Sequence, residues 1–413
     1  MLCGFVLVLA LVRIVPAEVY GELVLTKALF LMIIALSGIG LSQAAVRWAA
    51  TEIQRALILG AVLKGVLIAA VPAVLMFMAA IYTVNGDLSN ALTVPFMLTS
   101  VILVFSYLVN SELLNWYRAN HLPKSYARFS ILRAFLQAVS VVSFVSATQG
   151  VAGYVYGLAA GELVFSAALL SFNQWDFHLN SPLLKKMLVY GGPHAIVIAS
   201  SYALNYTDRF MINFLTDSTA LVAYYDAASV TAVSCMAILL RPFNLYILPA
   251  YTKKFETEGP EATIAFVNVC QRNFIICGVA IATPLVLFRN TFMTILFPQE
   301  YWSAAEIIYL IAFSVLMSGI LFTVVAGLYI SKKPLMVAAA ASTAVIFNFF
   351  ANYFLIPIYG LNGAAAATSL SGLLQLAVGY FVARKVLAVR FPVLFIVMAA
   401  LWLCCVDRYF PAL

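Results

Sequence analysis

Hydrophobic stretches of about twenty residues recur from one end of this chain to the other, and that recurrence leaves it few ways to fold. In lipid every backbone N–H and C=O must be satisfied inside the structure, which admits helices or a closed barrel. Runs of this length suit helices, because about 20 residues at 1.5 Å each cross a bilayer core. Thirteen apolar runs are closed by Gly, Pro, Asn or charge clusters, at roughly 1–15, 23–43, 57–82, 92–115, 130–149, 151–173, 188–215, 221–250, 266–290, 304–330, 335–358, 361–383 and 391–410. The longest polar interval between them, Lys253 to Glu261, is too short to fold separately. With 64% hydrophobic and 9% charged residues, against about 45–50% and 25% in soluble domains, an all-α polytopic membrane protein is expected.

The first run, "MLCGFVLVLALVRIVP", lacks the basic n-region and A-x-A site of a signal peptide and reads as a short or tilted first helix. The six cysteines, at 3, 235, 270, 277, 404 and 405, have no CxxC spacing and read as packing residues. The net charge of +7 is scattered over short loops. It therefore predicts membrane orientation and no nucleic-acid partner. With the N-terminus in the cytoplasm, 18 of the 23 basic residues, Arg47 and Lys332 among them, fall on the inner side. Arg13, Lys27, Arg209, Arg289 and Arg408 fall on the outer side.

The chain also repeats itself. "QGVAGYVYG" around Gly150 and Gly153 recurs as "YGLNGAAAA" around Gly360 and Gly363, 210 residues later. Pro123 and Pro334 mark equivalent connections 211 residues apart, and the turn at Tyr20 recurs near Tyr224 after 204. Six spans per repeat is an even number, so both halves enter the membrane in the same direction. The expectation is two six-helix lobes, 1–180 and 181–386, related by a pseudo-twofold along the membrane normal, with an extra membrane helix at 387–413. Parallel repeats of this kind are a transporter signature.

Residues 348–371, "NFFANYFLIPIYGLNGAAAATSLS", resemble the eleventh and twelfth helices of the polysaccharide exporters, the O-antigen flippase family. The matching elements are Asn348, Asn352, Leu355 to Pro357, Tyr359, Gly360, Gly363 and Ala364 to Thr368. "NYTDRFMINFLTDSTALVAYYDAA" at 205–228 is similar to the family's seventh-helix Asp-Arg and the turn after it, and residues 11–48 to its first hairpin. The chain departs from the pattern at Ala223, where Gly is usual, in lacking about twenty residues ahead of Val12, and in its thirteenth span. The resemblance implies export of an undecaprenyl-pyrophosphate-linked oligosaccharide. It also implies a multi-pass location in a bacterial inner membrane, with membrane lipids and periplasmic polymerase machinery as partners. Read physically, Pro357 would end one helix, the glycines permit a reversal, and the alanines let two backbones approach closely.

Charges inside the spans mark candidate sites, because each costs about 2.5–3.5 kcal/mol at a helix centre. Asp208 and Arg209 are adjacent, and about 100° per residue keeps them off one narrow face; they form either a structural pair near the outer end or a cavity site. Arg241 precedes Pro242, where an interrupted helix would expose backbone groups, or else it snorkels to the surface. Arg13, Arg133, Arg272 and Arg289 complete the set expected to contact an anionic substrate. Glu112, Glu162 and Asp226, with Asp208, are the carboxylates able to carry a coupling proton or Na+, or else to hold helices together. No resident cofactor, metal or catalytic group is expected. There is no HExxH or P-loop, and only His121, His178 and His194 are present. Three functions remain: the flippase, a cation-coupled drug extruder whose pocket would favour acids and aromatics, and a glycan polymerase or glycosyltransferase, which would need a catalytic domain absent from these 413 residues.

Overall fold

The structure, a computed structural model, describes residues 2–38, 40–41, 44–45, 55–85, 94–120, 122–171, 181–331 and 333–409. Arg47, Lys332, His121 and His178 lie outside the described residues. The helices are α1 (Leu2–Ile14), α2 (Ala17–Ser37), α3 (Arg55–Asn85), α4 (Val94–Ala119), α5 (Pro123–Thr148), α6 (Val151–Ser171), α7 (Ser181–Thr216), α8 (Thr219–Leu287) and α9 (Arg289–Leu296). A 3-10 segment (Gln299–Ile307) leads to α10 (Ile308–Val324), α11 (Ala326–Ile330), α12 (Pro334–Ala383) and α13 (Val393–Tyr409). Each expected apolar run overlaps a helix, and no strand occurs among the described residues. The protein is an all-α, multi-span membrane protein.

Two helices are too long to be single spans. The 69 residues of α8 would make a rod of about 100 Å, some three times a bilayer core. Gly259 breaks it with φ 83° and ψ −176°, and Gly360 breaks the 50-residue α12 with φ 57° and ψ −131°. Both breaks need a positive φ that glycine adopts without a steric cost. Two expectations about proline are corrected here. Pro357 lies inside the first arm of α12, which ends three residues later at Gly360, and α8 runs through Pro242 without interruption. A proline's ring disturbs its own preceding turn, but the chain reverses where φ is free to change sign.

The molecule divides into two compact units, Met1–Tyr202 and Ala203–Leu413, with the division inside α7. In the first, α5 and α6 form the closest pair. Gly157 and Gly161 make that approach: a Cβ at Gly157 would lie 2.6 Å from the Val141 Cα, and one at Gly161 would lie 3.0 Å from the Gln137 Cα. Small residues are how helices associate in lipid, where apolar burial gives little drive. In the second unit the arms of α12 meet in the same manner. A Cβ at Gly363 would sit 2.2 Å from the Leu355 carbonyl oxygen, and Ala364, Ala365 and Ala367 are fully buried. Large apolar side chains such as Ile68, Leu75, Phe214 and Leu245 stay exposed on the surface, as a lipid-facing exterior requires.

Helix α13 belongs to the second unit. The linker before it is anchored by buried Leu387 and Val389, which join Ile247, Tyr251, Val267 and Ala326 in one core. Trp402 Nε1 donates to Thr283 Oγ1 at 2.8 Å, and Asp407 pairs with Arg289. Helix and lobe are thus tied at two depths.

Candidate polar sites in the two helical units

In the first unit, residues one turn apart on three helices converge on Glu162, whose exposure is 0%. Arg133 Nε donates to Oε1 at 2.8 Å and Nη2 lies 2.7 Å from the same oxygen. Gln137, four residues on along α5, donates to Oε1 at 2.5 Å. From α4, Asn110 Nδ2 donates to Oε2 at 2.7 Å, and Ser166 Oγ in turn donates to Asn110 Oδ1 at 3.0 Å. Arg133 also donates to Ser111 Oγ at 3.0 Å and lies 4.3 Å from the Tyr107 ring centroid. The glycine stripe of α6 brings Gln137 within reach. A substrate-contacting arginine and a coupling acid of the sequence analysis thus form one neutral pair with every carboxylate oxygen engaged.

Beside this cluster is a cavity of about 210 Å³. It shares Tyr107 and Gln137 with the network, is faced by Tyr20 and Tyr154, and includes Lys27. Among the described residues, no carboxylate lines it. Lys27 was expected near the outer end of a run beginning at 23, but α2 starts at Ala17, which makes Lys27 the middle residue of a 21-residue helix. The sequence analysis missed it as a site residue; a lysine centred between Pro16 and Gly38 was the available signal.

The second unit builds its site from α7, α8 and both arms of α12. Asp208 and Arg209 diverge, as adjacent helical positions must. Arg209 Nε and Nη2 donate to Asp226 Oδ1 at 3.0 and 2.8 Å, and Nη1 donates to the Asn205 carbonyl at 2.7 Å. Asp208, only 2% exposed, is held by neutral donors. Tyr225 and Thr368 donate to Oδ2 at 2.8 and 2.5 Å, and Asn352 Nδ2 donates to Oδ1 at 2.9 Å. The same amide group donates to Asn348 Oδ1 at 3.0 Å. Among the described residues, Asn352 Oδ1 and Asn348 Nδ2 are buried without a hydrogen-bond partner. A cavity of about 130 Å³ reaches Asp208, Arg209, Tyr225, Ser229 and Thr368. Asn348, Asn352 and Thr368 had been read only as elements of a motif.

The remaining candidates stand apart from these clusters. Arg289 is buried against Asp407 of α13, while Arg241 and Arg272 are exposed on α8. Arg13, also exposed, donates to the Leu9 carbonyl of its own helix at 2.6 Å. Glu112 is buried about 200° round α4 from Asn110. Arg133, Arg209 and Arg289 thus do not present bare cationic faces; their partners, distant in sequence, were invisible as such. No group of three or more His, Cys, Asp or Glu suited to a metal occurs among the described residues. Oxygen ligands for a monovalent cation are at hand around Asp208: the carboxylate itself, the side-chain oxygens of Asn348, Asn352 and Thr368, and the Ala364 carbonyl that Thr368 contacts at 3.1 Å.

No family model matches the chain. It is 23% identical over 282 residues to an uncharacterized membrane protein of Methanocaldococcus jannaschii, covering 66% of this chain and 54% of that one. It is 22% identical over 253 residues to the probable low-salt glycan biosynthesis flippase Agl15 of Haloferax volcanii, covering 59% and 52%. The chain spans about half the length of these curated relatives. Among solved structures it superposes on the lipid II flippase MurJ in an inward closed conformation with a TM-score of 0.72, at 13% identity, covering 98% of this chain and 88% of that one. It also superposes on an outward-facing MATE-family multidrug transporter of the MOP superfamily with a TM-score of 0.66, at 14% identity and 93% and 91% coverage. The chain thus shares the fold of these two structures.

Proposed function

We propose that this protein is a flippase, and not an enzyme, that carries an undecaprenyl-pyrophosphate-linked oligosaccharide, an O-antigen or similar surface-polysaccharide unit. It works by alternating access, from the cytoplasmic to the periplasmic leaflet of a bacterial inner membrane. Its N-terminus is cytoplasmic, and periplasmic polymerase machinery takes up the product. The single observation that carries the reading is Lys27. An ammonium at the middle of an apolar helix, facing a cavity with no acid in its lining among the described residues, calls for an anion, and a phosphate group is the anion a lipid carrier brings. The Agl15 and MurJ likenesses support a lipid-linked substrate. A volume of about 210 Å³ suits the phosphate end of such a molecule and not its glycan.

A second reading, a cation-coupled extruder, draws on the MATE likeness and on Asp208, a buried carboxylate with no cationic partner within hydrogen-bonding distance among the described residues. The two readings share a mechanism at Asp208. The Asn352 amide donates where a cation would sit; turning that amide over would offer its oxygen, and a proton or Na+ would take its place. Under the flippase reading this supplies the driving force and Lys27 holds the cargo.

The test is translocation of a defined lipid-linked oligosaccharide in liposomes. Lys27→Met removes a charge-assisted contact of about 1.5–3 kcal/mol, so translocation should drop roughly 10- to 100-fold, with Lys27→Arg retaining most of it. Glycan translocation unchanged in Lys27→Met, or extrusion of an organic cation with no glycan movement, would favour the extruder.

A further inference from the structure

The second arm of α8 carries Arg272, and Arg289 opens α9 just past its end; the fifteen residues from Arg272 to Leu287 rise about 22 Å. Helix α13 runs beside it between the same two levels, with Arg390 just before its start and Asp407 near its end. That separation approaches the roughly 30 Å of a bilayer core, so the two arginine levels of this unit lie at opposite membrane interfaces. They are treated differently. Arg289 is neutralised by Asp407, whereas the guanidinium groups of Arg272 and Arg390 meet no carboxylate and no other acceptor among the described residues.

Both of those arginines line one cavity of about 480 Å³, and among the described residues no acid lines it with them. The cavity is held in shape. Asn268 Oδ1 accepts the Arg390 backbone N–H at 3.0 Å, and Leu387 and Val389 pin the linker from below. Its other wall is apolar and opens outward through Val269, Val393 and Leu394, each exposed. Arg384 and Lys385, exposed a few residues earlier on the linker, add positive charge nearby.

We infer that this cavity is a resident site for an anionic glycerophospholipid of the bilayer. Its phosphodiester lies between Arg272 and Arg390, and an acyl chain runs along Val269, Val393 and Leu394. A guanidinium fork matches phosphate oxygens, and basic pockets between membrane helices at an interface are suited to acidic headgroups. The apolar wall selects a lipid over a free phosphate ion. Arg272, expected to touch the transported substrate, is thereby assigned to a structural lipid, independently of the flippase reading.

The experiment uses the full chain, stripped of lipid in a neutral detergent and titrated with phosphatidylglycerol, phosphatidylcholine, diacylglycerol or inorganic phosphate. Native mass spectrometry and the thermal unfolding midpoint report binding. Phosphatidylglycerol should bind one per chain and raise the midpoint, while the other three should not. Replacing two charge-assisted contacts in Arg272→Gln/Arg390→Gln should weaken phosphatidylglycerol binding by about tenfold or more, and Arg384→Gln/Lys385→Gln should leave it intact. Equal binding of phosphatidylcholine or diacylglycerol overturns the proposal, as does an unchanged double arginine variant or loss of binding in the linker variant. Inorganic phosphate acting as well as the lipid overturns it in favour of a free-anion site. Should the double arginine variant fail to fold, the wild-type comparison of phosphatidylglycerol with diacylglycerol decides alone.

Discussion

Glu162 in the first unit and Asp208 in the second are buried to nearly the same degree, 0% and 2%, and each is surrounded by hydrogen-bond donors. The donors differ in one respect. Glu162 faces the Arg133 guanidinium along with two amides, so its charge is cancelled inside the unit. Asp208 faces a phenol, a hydroxyl and an amide, and the neighbouring Arg209 turns away to Asp226. Neutral donors stabilise a carboxylate but leave its charge in place, and a net charge in a low dielectric draws a counter-ion. One acid is therefore a fixture holding α4, α5 and α6 together, and under the proposed function the other is the place for an exchangeable proton or cation.

The clusters are not copies of one ancestral site. Carrying the repeat offset of 204 back from Asp208 and Arg209 lands on Gly4 and Phe5, and carrying 210 forward from Glu162 lands on Gly372. The two halves have placed their buried charges on non-equivalent helices. Under the proposed function this is a division of labour: anion binding by Lys27 in the first unit and ion coupling by Asp208 in the second.

The largest effect should come from Glu162→Gln. It strands the Arg133 guanidinium, 11% exposed, without its carboxylate, a change on the order of 3 kcal/mol in stability. The unfolding midpoint in detergent should fall sharply and the yield of folded protein with it. Asp208→Asn is the opposite case. It keeps the shape and removes a charge that has no cationic partner among the described residues, so stability should stay within about 1 kcal/mol of wild type, while stimulation of transport by a proton or sodium gradient should vanish. Both are read on the same preparations, by thermal unfolding and by liposome transport with and without each gradient. If Asp208→Asn proved the less stable of the two, or kept its gradient response, the contrast between the acids would be gone.

What the sequence disclosed and what it hid follow from the same physics. The helices were legible because lipid tolerates so little else: each apolar run is on a helix, and Gly360 turns the chain as its neighbours suggested. Boundaries were less so. A shift of six residues at the start of α2 moved Lys27 from a helix end to its centre. The charged candidates were visible one by one, but their partners lie 29 residues away for Arg133, 17 for Arg209 and 118 for Arg289. No local pattern pairs residues so far apart. Neutral members such as Asn110, Gln137 and Tyr225 look like ordinary helix residues until three helices meet. Four-residue spacings of polar groups within apolar runs, Arg133 with Gln137 or Asn348 with Asn352, were the one trace available.

The smallest effect sharpens the contrast most. Tyr225→Phe deletes a single neutral donor to Asp208 and nothing else polar apart from a 3.3 Å contact with Thr368. That bond favours the bare carboxylate over the cation-bound form, because a bound proton or ion competes for the same oxygen. Removing it should tighten cation binding, and a net hydrogen bond of about 1 kcal/mol corresponds to roughly fivefold. Half-maximal stimulation of transport should therefore occur at a lower cation concentration, with the unfolding midpoint nearly unchanged. The matched change in the first unit, Ser166→Ala, removes one neutral donor to Asn110 and should leave cation dependence where it was. A shift of equal size in both variants would mean that the two acids respond alike, and that the guanidinium beside Glu162 does not distinguish them.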